Sequence, residues 1–254
     1  MMKTIDLNCD MGESFGAYTL GYDELAMPFV TSINVACGFH ASDPDHMAKT
    51  IQLAKKNGVA VGAHPGFPDL VGFGRRSMAM TPEEVKHAVM YQIGALDAFC
   101  RAAGLKMQHV KAHGALYNMA EKDLSFGLAI ADAIQAVNPE LTMLCLANSQ
   151  MVTAAQQKGL PYVAEAFADR AYTDEGTLVS RKIAGSVIHD VNEVVTRVVR
   201  MVKEGTVISL TGREIPIAAQ TICVHGDTPG AVDMVKAIRT ALDKEGILLR
   251  PFGK

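Results

Sequence analysis

Short apolar segments alternate with longer helical segments through most of this 254-residue chain, and this alternation restricts the possible fold most strongly. Each apolar segment has the length of a buried strand, and most are followed by a segment with helix start and stop signals. Strand, helix and strand repeated at this spacing are typical of parallel βαβ units. The predicted strands cover residues 4–9, 31–37, 59–63, 108–112, 141–146, 161–167 and 220–225.

Prolines and glycines mark the boundaries of several predicted helices. A proline follows a capping residue at Pro44, Pro82 and Pro229, which places each proline in the first helical turn. Gly58 ends the first of these helices, and the last one ends before Gly246. We find no low-complexity tract, Pro/Ser-rich linker or sequence repeat, so we expect one domain over residues 1–254.

The seven strands predict an α/β fold in the form of a distorted or incomplete TIM-like barrel. Asp6, Asn8 and Asp10 share one face of the first strand, because strand side chains alternate between two faces. In a closed barrel, the polar faces of the strands point into one shared lumen. In a doubly wound sheet, such a face packs against helices, where unpaired polar groups are unfavourable. A Rossmann-type sheet is the alternative. Residues 206–218, with Gly212 at the turn, predict an inserted antiparallel hairpin.

Composition excludes several classes of partner. The net charge of −3 argues against nucleic acid or an anionic membrane as the main partner. We find no apolar run approaching the roughly 18–20 residues that span a bilayer. The five cysteines are odd in number and form no CxxC pair. Together with the lack of a secretory signal, this pattern predicts a reduced, cytoplasmic protein.

Ionisable side chains recur where the predicted strands end. In parallel α/β folds, ligands bind beyond the carboxyl ends of the strands. Six strand ends with such groups therefore predict one convergent active site. The residues are Asp10 and Glu13, His40 and Asp43, His64, His113, Asp169 and Arg170, and His225 and Asp227.

Two kinds of chemistry fit this set of side chains. Histidines and carboxylates are ligands of Zn²⁺ or Mn²⁺, and Asp10, His40 and His64 are the candidate metal ligands. The same side chains also serve acid–base catalysis without a metal. Linear signatures such as HExxH are absent, so the presence of a resident transition metal stays open.

Lys111 is unusual because it lies within the apolar segment HVKAH, where lysine is disfavoured. A buried lysine either pairs with a carboxylate, here Asp6 or Glu165, or takes part in chemistry. Both alternatives place Lys111 in the lumen beside the site. The long loop 62–78 adds Arg75, which is suited to bind a carboxylate or phosphate group.

Six sequence blocks resemble the LamB/YcsF family: DLNCDMGESFG, NVACGFHASDP, GAHPGFPDLVGFGRR, VKAHGALYN, AFADRAY and VHGDTPGAV. They occur in order and extend from Ile5 to about Phe252. The resemblance implies a fold related to the glycoside hydrolase/deacetylase barrels. It also implies ATP-dependent hydrolysis of 5-oxo-L-proline to L-glutamate, with release of ADP and phosphate, in a 5-oxoprolinase complex with partner subunits B and C.

The expected cofactor of this reaction is ATP with Mg²⁺, although the phosphate-loop motifs GxxxxGK[ST] and GxGxxG are absent. Two alternatives stay open: a metal-dependent amidohydrolase or deacetylase that needs no ATP, and a non-catalytic subunit that binds substrate. The predicted catalytic residues are Asp10, His64, Lys111 and His113. The residues predicted to bind substrate or nucleotide are Glu13, Asn34, His40, Arg75, Arg170, His225 and Asp227.

Overall fold

The structure, a computed structural model, describes residues 3–225 and 230–253. Its strands are β1 (Thr4–Met11), β2 (Ser32–Ala36), β3 (Ala60–His64), β4 (Met107–Val110), β5 (Thr142–Leu146), β6 (Tyr162–Phe167), β7 (Thr206–Ile208), β8 (Glu214–Pro216), β9 (Thr221–Val224) and β10 (Leu248–Leu249). Its helices are α1 (Asp23–Ala26), α2 (Pro44–Asn57), α3 (Pro82–Ala102), α4 (Gly114–Ala120), α5 (Leu124–Val137), α6 (Gln150–Lys158), α7 (Val191–Glu204) and α8 (Ala231–Lys244).

Seven parallel strands close into a barrel. The strands β1 to β6 pair in chain order, and β9 lies between β6 and β1. Across the closing pair Asn8 is in register with Cys223, and on the other side of β1 Asp10 is in register with Asn34. The seven-stranded barrel predicted from the sequence is confirmed. The Rossmann-type alternative is wrong because the sheet closes on itself.

Both faces of β1 are buried, but they have different chemistry. Leu7 and Cys9 belong to the hydrophobic core, whereas Asn8 and Asp10 alternate with them and are buried among other polar side chains. This alternation follows from the period of two in a strand. The lumen of the barrel is therefore polar, and the apolar core lies between the strands and the surrounding helices.

Caps at helix ends agree with the sequence signals. The Asp43 side chain accepts hydrogen bonds from the first backbone N–H groups of α2, and Gly58 ends this helix with a left-handed φ of 66°. Thr81 and Glu84 form a capping box at the start of α3. The predicted start of the last helix, Thr228-Pro229, lies outside the described residues. Within the described ranges, none of the helices combines the length and apolar character that a bilayer crossing requires.

Two small features lie beside the barrel. The strands β7 and β8 pair antiparallel in a sheet of their own, with Gly212 in the turn at a φ of 91°. The short strand β10 pairs parallel with the start of β1, where Leu248 is in register with Thr4. A strand of two residues has no periodic pattern, so sequence reasoning missed it.

Candidate active site

Asp6 lies nearer the start of β1 than Asp10 and is held by hydroxyl groups. Its Oδ1 accepts a hydrogen bond from Thr31 at 2.6 Å, and its Oδ2 accepts from Ser32 at 2.8 Å and Thr221 at 2.5 Å. Burial raises the pKa of Asp6 to about 6, although these hydrogen bonds oppose the rise. Asp6 is therefore not the partner of Lys111, one of the two partners considered from the sequence.

The Lys111 ammonium lies between two carboxylates in the middle of the lumen. Its Nζ is 2.9 Å from Glu165 Oε1 and 3.1 Å from Asp10 Oδ1, and it also donates to Cys223 Sγ at 3.0 Å. Burial by itself would lower the pKa of Lys111, but the neighbouring acidic groups, Asp10 foremost, raise it well above its usual range. Lys111 is therefore a fixed cation, only 2% exposed.

Glu165 has a second partner that sequence reasoning missed. Its Oε2 accepts a hydrogen bond from the Tyr117 hydroxyl at 2.8 Å, and its Oε1 accepts from Asn8 Nδ2 at 3.0 Å. Tyr117 lies on the buried face of α4, within the short sequence GALYN. A single tyrosine among apolar residues resembles a core residue, and only the tertiary structure shows that it faces β6.

Asp10 contacts groups both in the middle of the lumen and at its rim. Its Oδ1 accepts from Asn34 Nδ2 at 2.8 Å, and its Oδ2 is 3.3 Å from His64 Nε2. Burial alone would raise the pKa of Asp10, but His64 and Lys111 hold it well below its usual range. Asn34 Nδ2 carries two N–H groups, and it donates to Asn8 Oδ1 at 2.7 Å as well as to Asp10. Asn34 thus positions Asp10.

Three histidines and a glutamate gather at the rim, at the ends of different strands. The nearest nitrogens of His64 and His113 are 3.0 Å apart, and the His40 ring stacks on His113 with centroids 3.7 Å apart. Glu13 Oε1 is 3.8 Å from both His40 Nε2 and His113 Nδ1. One potential ligand atom from each of these four residues lies within 4.8 Å of all the others.

The candidate metal ligands predicted from the sequence are therefore only partly grouped together. His40 and His64 fall in the cluster with Glu13 and His113. Asp10 falls instead in a second group of potential ligands, with Cys223 and His225. Burial lowers the pKa of both His40 and His113 well below the usual range, so these rings are neutral, the form that binds metals.

His225 and Asp169 form a dyad on another side of the rim. His225 Nδ1 donates to the Asp169 carboxylate at 2.8 and 2.9 Å, and His225 Nε2 accepts from Arg181 at 2.9 Å. Burial alone would raise the pKa of Asp169, but His225 and Arg181 lower it. Asp227, which was also predicted to bind substrate or nucleotide, lies outside the described residues.

The two predicted arginines have different surroundings. Arg170 donates to the backbone carbonyls of Val179 at 2.6 Å and Ser186 at 3.3 Å, and burial lowers its pKa to about 10. Arg75 is exposed, with its guanidinium carbon 4.7 Å from the centre of the Phe73 ring. Arg170 therefore holds its own loop in place, while Arg75 lies at the exposed mouth of the site.

A cavity of about 390 Å³ opens at this end of the barrel, within the usual range for small-molecule sites. The predicted residues that line it are Asp10, His64, Arg75, Lys111, His113, Arg170 and His225. Tyr117, Arg181 and Lys182 add to its wall. The arrangement combines fixed carboxylates and imidazoles at the base with cations at the mouth, which suits an anionic small molecule.

Several known proteins are similar to this chain over its full length. The model of the LamB/YcsF family matches residues 5–254. The A subunit of a 5-oxoprolinase from Clostridium beijerinckii is 56% identical over 253 residues, covering 100% of this chain and 99% of that protein. A protein of the same name from Rhodopseudomonas palustris is 53% identical over 98% of each chain. The crystal structure of a lactam utilization protein from Thermus thermophilus has a TM-score of 0.94 at 48% identity, covering 98% of this chain and 100% of that chain.

Proposed function

Because the chain belongs to the LamB/YcsF family, we propose that it acts in 5-oxoproline metabolism as the A subunit of an ATP-dependent 5-oxoprolinase. The names of full-length relatives support this role. The observation that carries the proposal is the Lys111 ammonium, fixed between Asp10 and Glu165 at the base of a cavity with a cationic mouth. The proposed partners of this chain are subunits B and C.

The chemistry of the substrate explains the use of ATP. The ring amide of 5-oxoproline is stabilised by resonance and is a poor electrophile. Transfer of the γ-phosphoryl group of ATP to the amide oxygen releases ADP and activates the ring carbon. Water then adds to this carbon, the C–N bond breaks and the nitrogen takes up a proton. A second water hydrolyses the resulting acyl phosphate to glutamate and phosphate.

The charged groups at the base of the cavity and those at its mouth are suited to different roles. Lys111 is balanced by two carboxylates, so it is better suited to position Asp10 than to neutralise phosphate. Arg75, Arg181 and Lys182 at the mouth are suited to bind the phosphates of Mg²⁺–ATP or the carboxylate of the substrate. Asp10, whose Oδ2 lies 3.3 Å from His64 Nε2 at the cavity wall, is placed to orient the attacking water.

Reconstitution tests the proposal directly. The chain is mixed with subunits B and C, and the release of glutamate, ADP and phosphate from 5-oxo-L-proline is measured. We expect all three products only when this chain, both partners and ATP are present. Ring opening without ATP would favour a metal-dependent amidohydrolase. Full activity of B and C without this chain would overturn an essential role for it.

Substitution of the central cation tests the proposed site. Lys111→Met leaves Asp10 and Glu165 without their shared ammonium, so we expect the kcat of the reconstituted complex to fall at least about 100-fold. The matched control is Lys86→Met, which removes a lysine paired with Glu83 on the outer side of α3. Circular dichroism and partner binding check that both variants fold. Full activity of folded, partner-bound Lys111→Met would contradict the role of Lys111.

A further inference from the structure

We propose that Glu13, His40, His64 and His113 bind one divalent transition-metal ion of the zinc type at the wall of the cavity. This metal site goes beyond the ring-opening reaction, and it would stand even if that reaction were assigned to a partner protein. Four observations support it: the tautomers that the hydrogen bonds impose, the lack of hydrogen-bond partners for His40 among the described residues, the spacing of the ligand atoms and their chemical type.

The hydrogen bonds of His64 and His113 direct one lone pair of each ring into the cluster. His64 Nδ1 donates to the backbone carbonyl of Lys111 at 2.8 Å, and His113 Nε2 donates to that of Phe73 at 2.8 Å. The remaining nitrogens, His64 Nε2 and His113 Nδ1, face each other at 3.0 Å, and His64 Nε2 also lies 3.3 Å from Asp10 Oδ2, so a proton or a metal ion is needed between these acceptors. Metal-ligating histidines usually donate their other N–H to a carbonyl or carboxylate in this way.

His40 supplies an independent indication of a bound cation. It is 1% exposed, and among the described residues neither of its ring nitrogens has a hydrogen-bond partner. A buried polar group without a partner is unfavourable and calls for an explanation such as an ion. A proton shared by His64 and His113 would satisfy only those two rings. A metal ion at the centre of the cluster would also bind His40 Nε2, the nitrogen that lies 3.8 Å from Glu13 Oε1.

The spacing and chemistry of the ligands indicate the class of metal. The close ligand-atom pairs are separated by 3.0 to 3.8 Å. Bonds of about 2.0–2.1 Å to a tetrahedral Zn²⁺ place ligand atoms roughly 3.3–3.4 Å apart. Three imidazoles with one carboxylate favour Zn²⁺ or a similar transition metal over Mg²⁺ or Ca²⁺, which prefer oxygen ligands. His64 and His113 also line the cavity, so the ion would lie beside the substrate.

Metal binding can be measured without substrate, nucleotide or partner subunits. The purified chain is stripped with a chelator and then titrated with Zn²⁺, while its melting temperature is followed. We expect an increase of about 5–10 °C when Zn²⁺ is roughly 100-fold above its Kd. Titration with Co²⁺ should produce the visible absorption of a tetrahedral cobalt centre. Mg²⁺ at the same concentrations should produce neither effect.

Matched variants show whether the ion binds at this cluster. Glu13→Gln is nearly isosteric, and we expect it and His40→Gln to weaken Zn²⁺ binding on the order of 100-fold and to change the Co²⁺ spectrum. The controls are Glu83→Gln and His87→Gln, which alter an exposed glutamate–histidine pair 3.1 Å apart on α3. We expect both controls to bind Zn²⁺ like the original chain.

Two results would overturn the proposal. One is the absence of any melting-temperature shift or cobalt spectrum with the stripped, folded chain. The other is unchanged Zn²⁺ affinity and an unchanged spectrum in both Glu13→Gln and His40→Gln, which would place the ion elsewhere, for example at Asp10, Cys223 and His225. Neither result depends on whether the chain opens 5-oxoproline.

Discussion

At the scale of single residues, burial has opposite outcomes for two carboxylates on the same face of β1. Asp10 is adjacent to the Lys111 ammonium and to His64, and these partners hold its pKa well below the usual range despite burial. Asp6 accepts from three hydroxyl groups and lies near the Glu165 carboxylate, and burial raises its pKa to about 6. Asp10 is therefore a charged carboxylate at the cavity, whereas Asp6, nearer the start of β1, is a weaker acid.

Asp6 predicts a pH dependence of stability. Since an aspartate ordinarily has a pKa of 3.8 and Asp6 in the folded chain has a pKa of about 6, the folded state retains this proton to higher pH. The contribution of Asp6 to stability therefore decreases as pH rises from about 4 to about 6. Asp6→Asn cannot ionise, so its unfolding free energy relative to the original chain should increase by up to about 3 kcal/mol between pH 4 and pH 7.

Urea unfolding at the two pH values measures this difference. The control is Asp243→Asn, which changes an aspartate that is exposed on α8 instead of buried in the lumen. If the difference in unfolding free energy between Asp6→Asn and the original chain is the same at pH 4 and pH 7, the folded state does not raise the pKa of Asp6.

At the scale of elements, a glycine in β3 makes room for a histidine of β4. Gly62 is in register with His109, and a Cβ atom at Gly62 would lie 2.1 Å from the His109 ring. That ring passes over Gly62 to Asn34 on β2, with His109 Nε2 2.7 Å from Asn34 Oδ1. The small residue on β3 therefore allows β4 to support the side chain that positions Asp10.

Two glycine-to-alanine substitutions should act in opposite directions. Gly62→Ala forces the buried His109 ring to move, and we expect a loss of about 1–3 kcal/mol of unfolding free energy. Gly94→Ala lies on an exposed position of α3 with no atom within 4 Å of the added Cβ, so it should stabilise the chain by about 0.5–1 kcal/mol. Urea unfolding of both variants checks the signs, and a neutral Gly62→Ala would contradict the close contact.

At the scale of the whole molecule, the two ends of the barrel have different roles. The carboxyl ends of the strands surround the cavity. At the other end, β10 pairs with the start of β1, and Gln108 Nε2 donates to the backbone carbonyl of Phe252 at 2.7 Å. The Phe252 ring lies 5.3 Å from the His109 ring. The C-terminal segment therefore covers the amino end of the barrel beneath the polar lumen.

Two shortened chains test this cover. A chain that ends at Pro251 loses the Phe252 ring and its bond to Gln108, and we expect it to be less stable by about 1–2 kcal/mol, with a melting temperature lower by a few degrees. A chain that ends at Phe252 keeps both contacts and should melt close to the full chain. Equal melting temperatures for the two shortened chains would show that Phe252 contributes nothing to stability.

Much of the fold was predictable because its signals are local. The seven barrel strands lie within two residues of the predicted segments, since each is a short apolar run bounded by turn residues. Strand parity placed Asn8 and Asp10 on the polar face of β1, and the structure has both in the lumen. Position at strand ends also indicated five of the residues that line the cavity: Asp10, His64, His113, Arg170 and His225.

The contacts within the site were not predictable in the same way. Three contacts join residues that are far apart in the chain. They are the ion pair of Lys111 with Glu165, the hydrogen bond from Tyr117 to Glu165, and the hydrogen bond from Arg181 to His225. Such pairs depend on the register of each strand and on how the barrel closes. A shift of one residue in a strand would turn its side chains to the opposite face.

The sequence by itself determined the order of strands and helices, the polar face of β1 and the end of the barrel where ionisable groups collect. These properties follow from residue spacing along one segment, which is a short-range property of the chain. The tertiary structure alone decided which groups meet: Lys111 between Asp10 and Glu165, and His40 with Glu13. Those contacts arise only when the closed barrel places separate strand ends within a few ångströms of one another.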